Sequence, residues 1–163
     1  MKQYLAKLDT LAKVLTIGVL LLFAFIVYHA GRKGLAHLPI WLVFIAFGIT
    51  FLFAPSRYAV NTAGIEINRF LNTKLISIDE ITRVARVQPG ELGAGLRVFG
   101  SGGFMGYLGI FWYSSMGWVR AHCTDRSKLV MITTNKRKYL VSPNEPEDFI
   151  ENANRMILSK TSR

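Results

Sequence analysis

From Val14 to Tyr28 the chain reads VLTIGVLLLFAFIVY, and from Leu38 to Ala54 it reads LPIWLVFIAFGITFLFA, with no formal charge in either run. Each run nears the roughly 20 apolar residues that carry a helix across a bilayer. Only HAGRKGLAH separates them, a connection short enough to join two antiparallel helices and supplied with glycines for the turn. Neither run has the polar stripe at 3.6-residue spacing that marks a helix lying on a soluble core. A cleaved leader would end at a small-residue site before a polar mature chain, whereas here a second apolar run comes next. The expectation is a transmembrane helical hairpin over residues 1–54, with Pro39 tolerated in the first turn of the second helix. Lys2, Lys7, Lys13, Arg57 and Arg69 flank the pair on one side, against Arg32 and Lys33 in the connection. That bias places both termini in the cytoplasm and the protein in the inner membrane.

Any soluble domain must be built from the remainder of a 163-residue chain, which is enough for one. The formal charge of +10 is large for this length and points to a basic surface. Cys123 is the only cysteine, so an intramolecular disulfide is impossible and four-cysteine zinc patterns are excluded.

Beyond Pro55 long apolar runs give way to short alternating ones. YAVNTAGIEINRF has two apolar segments around NTAG and reads as a β-hairpin. KLISIDEITRVARVQPGE supplies one or two strands rich in β-branched residues and stops at Pro89-Gly90. WVRAHCTD, KLVMITT and RKYLVSP are three more runs, as in an antiparallel meander. The last segment changes period: Pro146 can open a helix, and Phe149, Ile150, Ala153, Met156 and Ile157 recur at helical spacing. Glu145, Glu147, Asp148 and Glu151 crowd its start while Arg155, Lys160 and Arg163 fall toward its end, the polarity that complements a helix dipole.

Between Arg97 and Arg120 lie twenty-two residues without a formal charge, six of them glycine. Glycine costs about 1 kcal/mol relative to alanine in a helix interior, so a third span is the poorer reading. It would also part the strands before it from those after it. A Walker-type phosphate loop fails because no lysine comes after the glycines until Lys128. Glycines interleaved with aromatics, from Phe99, Gly100, Gly103 and Phe104 to Gly106, Tyr107 and Gly109, instead suit a strongly bent strand.

RVFGSGGFMGYLGIFW, then MGW, then SKLVMITTNKRKYLVSPNEPEDFIENA, taken in order, resembles the bacterial pleckstrin-homology-like (PH-like) domain family from about Tyr58 to Ile157. Members of that family often sit behind one or two transmembrane helices. The resemblance implies a seven-stranded, bent all-β sandwich or partial barrel, capped at one end by the C-terminal α-helix and spanning residues 55–163.

No residue set is arranged for catalysis, and no metal or cofactor is expected. His122 and Cys123 are neighbours on an expected strand and so face opposite sides. Asp79, Glu80 and Asp125 read as solvated turn carboxylates. Charge is the remaining signal: from Arg57 onward there are fifteen Lys and Arg against nine Asp and Glu. Arg126, Lys128, Lys136, Arg137 and Lys138 gather around one expected hairpin and form the candidate surface for a partner or for anionic lipid. Two functions are open: a membrane-anchored adaptor whose β domain binds a protein, or a reader of anionic headgroups through the basic hairpin. Nucleic acid is disfavoured by the spread of the charge and the tether.

Overall fold

The structure, a computed structural model, describes residues 2–32 and 38–161. Lys33–His37 of the expected helix connection, and Arg163, lie outside the described residues. The two apolar runs are helices: α1 (Thr10–Arg32) and α2 (Leu38–Phe53). They meet through Phe23, whose ring lies edge-on to Phe44 at 4.4 Å. Among the described residues one helical stretch, Thr10–His29, is long and apolar enough to cross a membrane, and only 11 % of it is buried by the rest of the protein. The expectation of a hairpin of two spans is corrected here, since α1 alone has the length and apolarity of a span. α2 has 16 residues, about 24 Å of helix against a hydrocarbon core of about 30 Å.

The described residues also form ten strands and a third α-helix. Four strands form one antiparallel sheet in the order β1-β2-β3-β4: β1 (Lys2–Leu5), β2 (Pro55–Asn61), β3 (Gly64–Arg69) and β4 (Thr73–Ser77). Six form a second, β5-β9-β10-β8-β7-β6: β5 (Ile81–Arg86), β6 (Gly95–Gly103), β7 (Gly106–Tyr113), β8 (Gly117–Cys123), β9 (Val130–Thr134) and β10 (Lys138–Val141). The NTAG turn joins β2 to β3, and the chain changes sheet between β4 and β5 at Ile78–Glu80. The glycine-rich stretch is β structure, a hairpin of β6 and β7 turning at Phe104-Met105.

Three expectations are corrected. The strand count exceeds seven. The sheet is not a pure meander, because β10 lies parallel to β8, with Lys138 opposite Val119 and Val141 opposite His122. The boundary at residue 54 also fails for the first residues of the chain: β1 pairs antiparallel with β2, Lys2 opposite Val60 and Leu5 opposite Arg57. Tyr4 is buried in the core beside Phe149, with its ring 5.2 Å away and nearly perpendicular. The strand is too short to announce itself, and its partner lies more than fifty residues on.

One core joins the two sheets, with Tyr58, Ile65, Ile67 and Ile76 packed against Val84, Val130, Ile132 and Val141. α3 (Pro146–Thr161) closes it with the expected stripe, burying Phe149 and Ala153 and packing Ile150, Met156 and Ile157 at the rim. A second core lies on the opposite face of the six-stranded sheet, formed by Val87, Leu92, Phe111, Val119, Cys123, Leu129 and Leu140. Neighbouring residues on β8 thus serve different faces, as His122 and Cys123 do.

The helices enter the β domain at a neck. The Ala6 and Asp9 amides donate to the Ser56 and Thr124 carbonyls, each at 3.0 Å. The far pole holds the Asn61–Gly64 turn, Asp79 and the Asn135 amide, which donates to the Glu80 carbonyl. β2 has seven residues between the poles, about 23 Å at strand rise.

Candidate functional site: the seam between helices and sheet

The tip of the β6–β7 hairpin reaches past the neck and grips both helices. The Met105 amide donates to Thr16 Oγ1 at 3.0 Å, and that hydroxyl donates to the Ala12 carbonyl at 2.6 Å. The Phe104 ring meets Phe47 edge-on at 4.5 Å. Thr16 is six residues from the start of α1 and Phe47 six from the end of α2, so both contacts lie about 9 Å along their helices. At the same neck the β3–β4 turn presents exposed Phe70 and Leu71; Phe70 stacks on Phe51 at 4.6 Å, and the Leu71 amide donates to the Leu52 carbonyl. The glycine-aromatic motif is therefore the joint between sheet and helices.

Behind this joint lies a cavity of about 650 Å³ between α2 and the face of β6, β7 and β8. Phe47, Ile49 and Phe53 line it from the helix, and Phe99, Leu108 and His122 from the sheet. Gly100 and Gly109 are opposite one another in its floor, with φ of 117° and 127°. A Cβ on Gly109 would collide with the Phe99 carbonyl and stand 2.8 Å from the Gly100 Cα, so the two strands approach in a way only glycine permits.

At the cavity's edge the two sheets bring cations together. Arg69, from the end of β3, donates from a terminal nitrogen to His122 Nε2 at 3.3 Å, and its guanidinium lies 6.0 Å from the Phe53 ring. Lys74, from β4, sits over the Tyr139 ring at 5.8 Å, and Tyr139 is stacked 6.4 Å from His122. Arg120 stands two residues before His122 on β8 and so shares its face. His122 is held down to about 3, first by loss of hydration and then by the charges of Arg69, Lys74 and Arg120. The ring is thus neutral and accepts at Nε2. Burial lowers Arg69 as well, and its Nε has no hydrogen-bond partner among the described residues. The described ion pairs involve none of these three cations.

The five basic residues expected to form one surface divide between the poles. Arg126 and Lys128 lie near the neck: the Arg126 amide donates to Asp9 Oδ2 at 3.2 Å and its guanidinium lies 5.4 Å from the Tyr107 ring. Lys128 Nζ donates to the Asn144 carbonyl at 3.0 Å. Lys136, Arg137 and Lys138 are at the far pole, where Lys136 pairs with Glu80 at 3.3 Å and Lys138 donates to the Met116 carbonyl at 2.8 Å. The Asp79 carboxylate pairs with Lys160, and Asp125 accepts from the Ser127 amide at 2.8 Å. Among the described residues no three His, Cys, Asp or Glu side chains gather as metal ligands.

A third feature lies toward the far pole on the same face as the cavity. Leu96, Trp112 and Trp118 are direct neighbours across β6, β7 and β8, and are 64 %, 40 % and 62 % exposed. Phe99 extends the row at 74 %. β6 is the edge of its sheet and has no partner on its outer side among the described residues.

The family described as bacterial PH domain matches residues 56–157. The chain belongs to the bacterial PH domain family. The chain matches no curated protein and no solved structure. In this bacterial PH domain the matched segment contains β2 to β10 and most of α3, while β1 and the two helices precede it. Reading the sequence found the glycine-aromatic motif but missed its hold on the helices. It also missed the cluster of Arg69, Lys74 and Arg120, because Arg120 lies more than forty residues beyond the other two. The aromatic row had a signal in the sequence: Trp112 and Trp118 alternate with residues that face the second core, Phe111, Tyr113 and Val119.

Proposed function

We propose that this chain is a non-catalytic, membrane-anchored adaptor whose PH domain is seated on the inner face of the cytoplasmic membrane and binds a protein partner. The anchoring is supported by the apolar, uncovered α1 and by the pairing of β1 with β2. Leu5 and Arg57 are opposite one another in that ladder. A chain whose ends are paired has returned to the side it left, so a crossing by α1 calls for a return by α2. A short span is accommodated by local thinning of the bilayer at modest cost. The five-to-two bias of Lys and Arg favours the cytoplasm for both ends.

The observation that carries the adaptor reading is the exposed row Leu96–Trp112–Trp118, with Phe99, beside the open edge of β6. An extended segment added along β6 would gain main-chain hydrogen bonds from the edge and bury alternate side chains against the row. Tryptophan and arginine dominate binding energy at protein interfaces, and Arg120 borders the row. The basic hairpin is less favoured as a lipid reader, because Lys136, Arg137 and Lys138 lie at the pole away from the helices.

A photo-crosslinking amino acid at Trp118, in the full chain in its native membrane, tests this. The reading expects a discrete protein adduct that is lost when Trp112→Ser is added and is not formed from the same probe at Thr62. Adducts with lipid alone, or the same products from both positions, would contradict it.

A further inference from the structure

We propose that the cavity between α2 and the β6–β8 face holds an acyl chain of an acidic phospholipid from the protein's own leaflet, with the anionic headgroup seated by Arg69, Lys74 and Arg120. The inference rests on the membrane-anchored reading above; its cavity adjoins the aromatic row and shares Phe99 with it, while Arg120 stands between the two.

The two halves of the site differ in chemistry as the two halves of an amphiphile do. The cavity walls are Phe47, Ile49 and Phe53 on one side and Phe99 and Leu108 on the other. Its volume of about 650 Å³ lies in the usual range for small-molecule sites. At its edge, His122 and Phe53 both line the cavity and both touch Arg69. Three cations from two sheets converge there with no carboxylate paired to any of them among the described residues. Such a group raises its own electrostatic free energy unless an anion joins it. The Arg69 Nε, buried and without a partner among the described residues, is a donor still to be satisfied. Phosphate is the anion whose geometry a guanidinium matches best.

Position selects the lipid as the source of that anion. The cavity lies against the last two turns of α2, beside the turn that presents Phe70 and Leu71, where a leaflet surrounding the helices would meet the domain. A free phosphate would satisfy the cations and leave the apolar walls bare. An acidic phospholipid satisfies both.

The test uses the full chain reconstituted into nanodiscs of phosphatidylcholine, with and without phosphatidylglycerol carrying a photoactivatable acyl chain. The site predicts adducts concentrated on β6, β7 and the last turns of α2. It also predicts retention of phosphatidylglycerol over phosphatidylcholine after detergent extraction, read by native mass spectrometry. Arg69→Gln and Arg120→Gln should each lower that retention on the order of tenfold, as expected for loss of a charged hydrogen bond. The triple change Lys136→Gln, Arg137→Gln and Lys138→Gln should leave it unchanged. Arg69→Lys keeps the charge and guards against a folding defect; it should retain more lipid than Arg69→Gln. Adducts spread evenly along the outer face of α1, equal retention of both lipids, or full competition by glycerol phosphate would overturn the proposal. Protein that separates from the discs altogether would instead overturn the anchored reading.

Discussion

Replacing Tyr4 tests whether the first residues of the chain are part of the β domain. Tyr4 is 2 % exposed, and its ring packs on Phe149 in the core that joins the two sheets. Its hydroxyl donates to Asp148 Oδ2 at 2.5 Å and accepts from Asn152 Nδ2 at 2.8 Å. Tyr4→Ala removes ring and hydroxyl together, and truncation of a buried aromatic costs about 3–5 kcal/mol. Tyr4→Phe keeps the ring and leaves the Asp148 and Asn152 side chains one partner short, at about 1–3 kcal/mol. The expected order of stability is therefore wild type, Tyr4→Phe, Tyr4→Ala, with the alanine variant losing on the order of 10 °C in midpoint. Near-ultraviolet circular dichroism of the full chain in detergent tracks the transition, since the domain's tryptophans report packing of the β structure. A fragment beginning at Ser56 should be destabilised in the same way and regain stability when a peptide of residues 2–8 is added. If Tyr4→Ala unfolds with the wild-type midpoint, and the peptide has no effect, β1 does not belong to the fold and the pairing argument for the helices falls with it.

The packing of the sheet and the burial of His122 give two more expected outcomes. Gly109→Ala places a Cβ against the Phe99 carbonyl at a φ of 127°, so it should lose roughly 1–3 kcal/mol in thermal unfolding, more than alanine at open Gly48. A Gly109→Ala protein as stable as wild type would mean that β6 and β7 do not cross so closely. His122 gives a pH dependence: its folded value of about 3 lies below the ordinary 6.5, so the unfolded chain binds the proton first. Its neutral burial is therefore without cost above pH 6.5, and stability is lost as pH falls from there toward 3, by about 2 kcal/mol at pH 5. Denaturant melts of wild type and His122→Asn between pH 7 and 5 should converge or cross by that amount; parallel curves would show that folding leaves the proton affinity of His122 unchanged.

The parts of this fold that were legible in the sequence are those whose signal is local. α3 declared its period through Phe149, Ala153 and Met156, and the glycines from Gly100 to Gly109 ruled out a helix by their cost. The turn at Asn61–Gly64 carried its own chemistry, with Asn61 Oδ1 accepting from the Ala63 and Gly64 amides. The elements that stayed hidden depend on distant partners. β1 is four residues long and finds β2 only because the two helices bring the chain back. β10 inserts beside β8 in parallel, although the hairpin that β9 and β10 form is visible as such. Arg69, Lys74 and Arg120 are ordinary residues in sequence, and only the meeting of two sheets makes them neighbours of one histidine. The basic hairpin misled for the converse reason: residues adjacent along the chain lie at opposite poles, because β9 runs from one to the other.

Central to the proposed topology is that the chain leaves the β domain through α1 and returns to it through α2. Impermeant maleimide labelling of single cysteines in intact cells measures this directly, and Cys123 does not interfere, since burial pushes its thiol up to about 12. Cysteines at Lys2, at Thr62 and at Gly34, between the two helices, sample the three positions that matter. The expected result is labelling of Gly34→Cys from outside, and of Lys2→Cys and Thr62→Cys only after the membrane is opened. Labelling of either Lys2→Cys or Thr62→Cys alone from outside would put β1 and β2 on opposite sides of the membrane and contradict the ladder on which the topology rests.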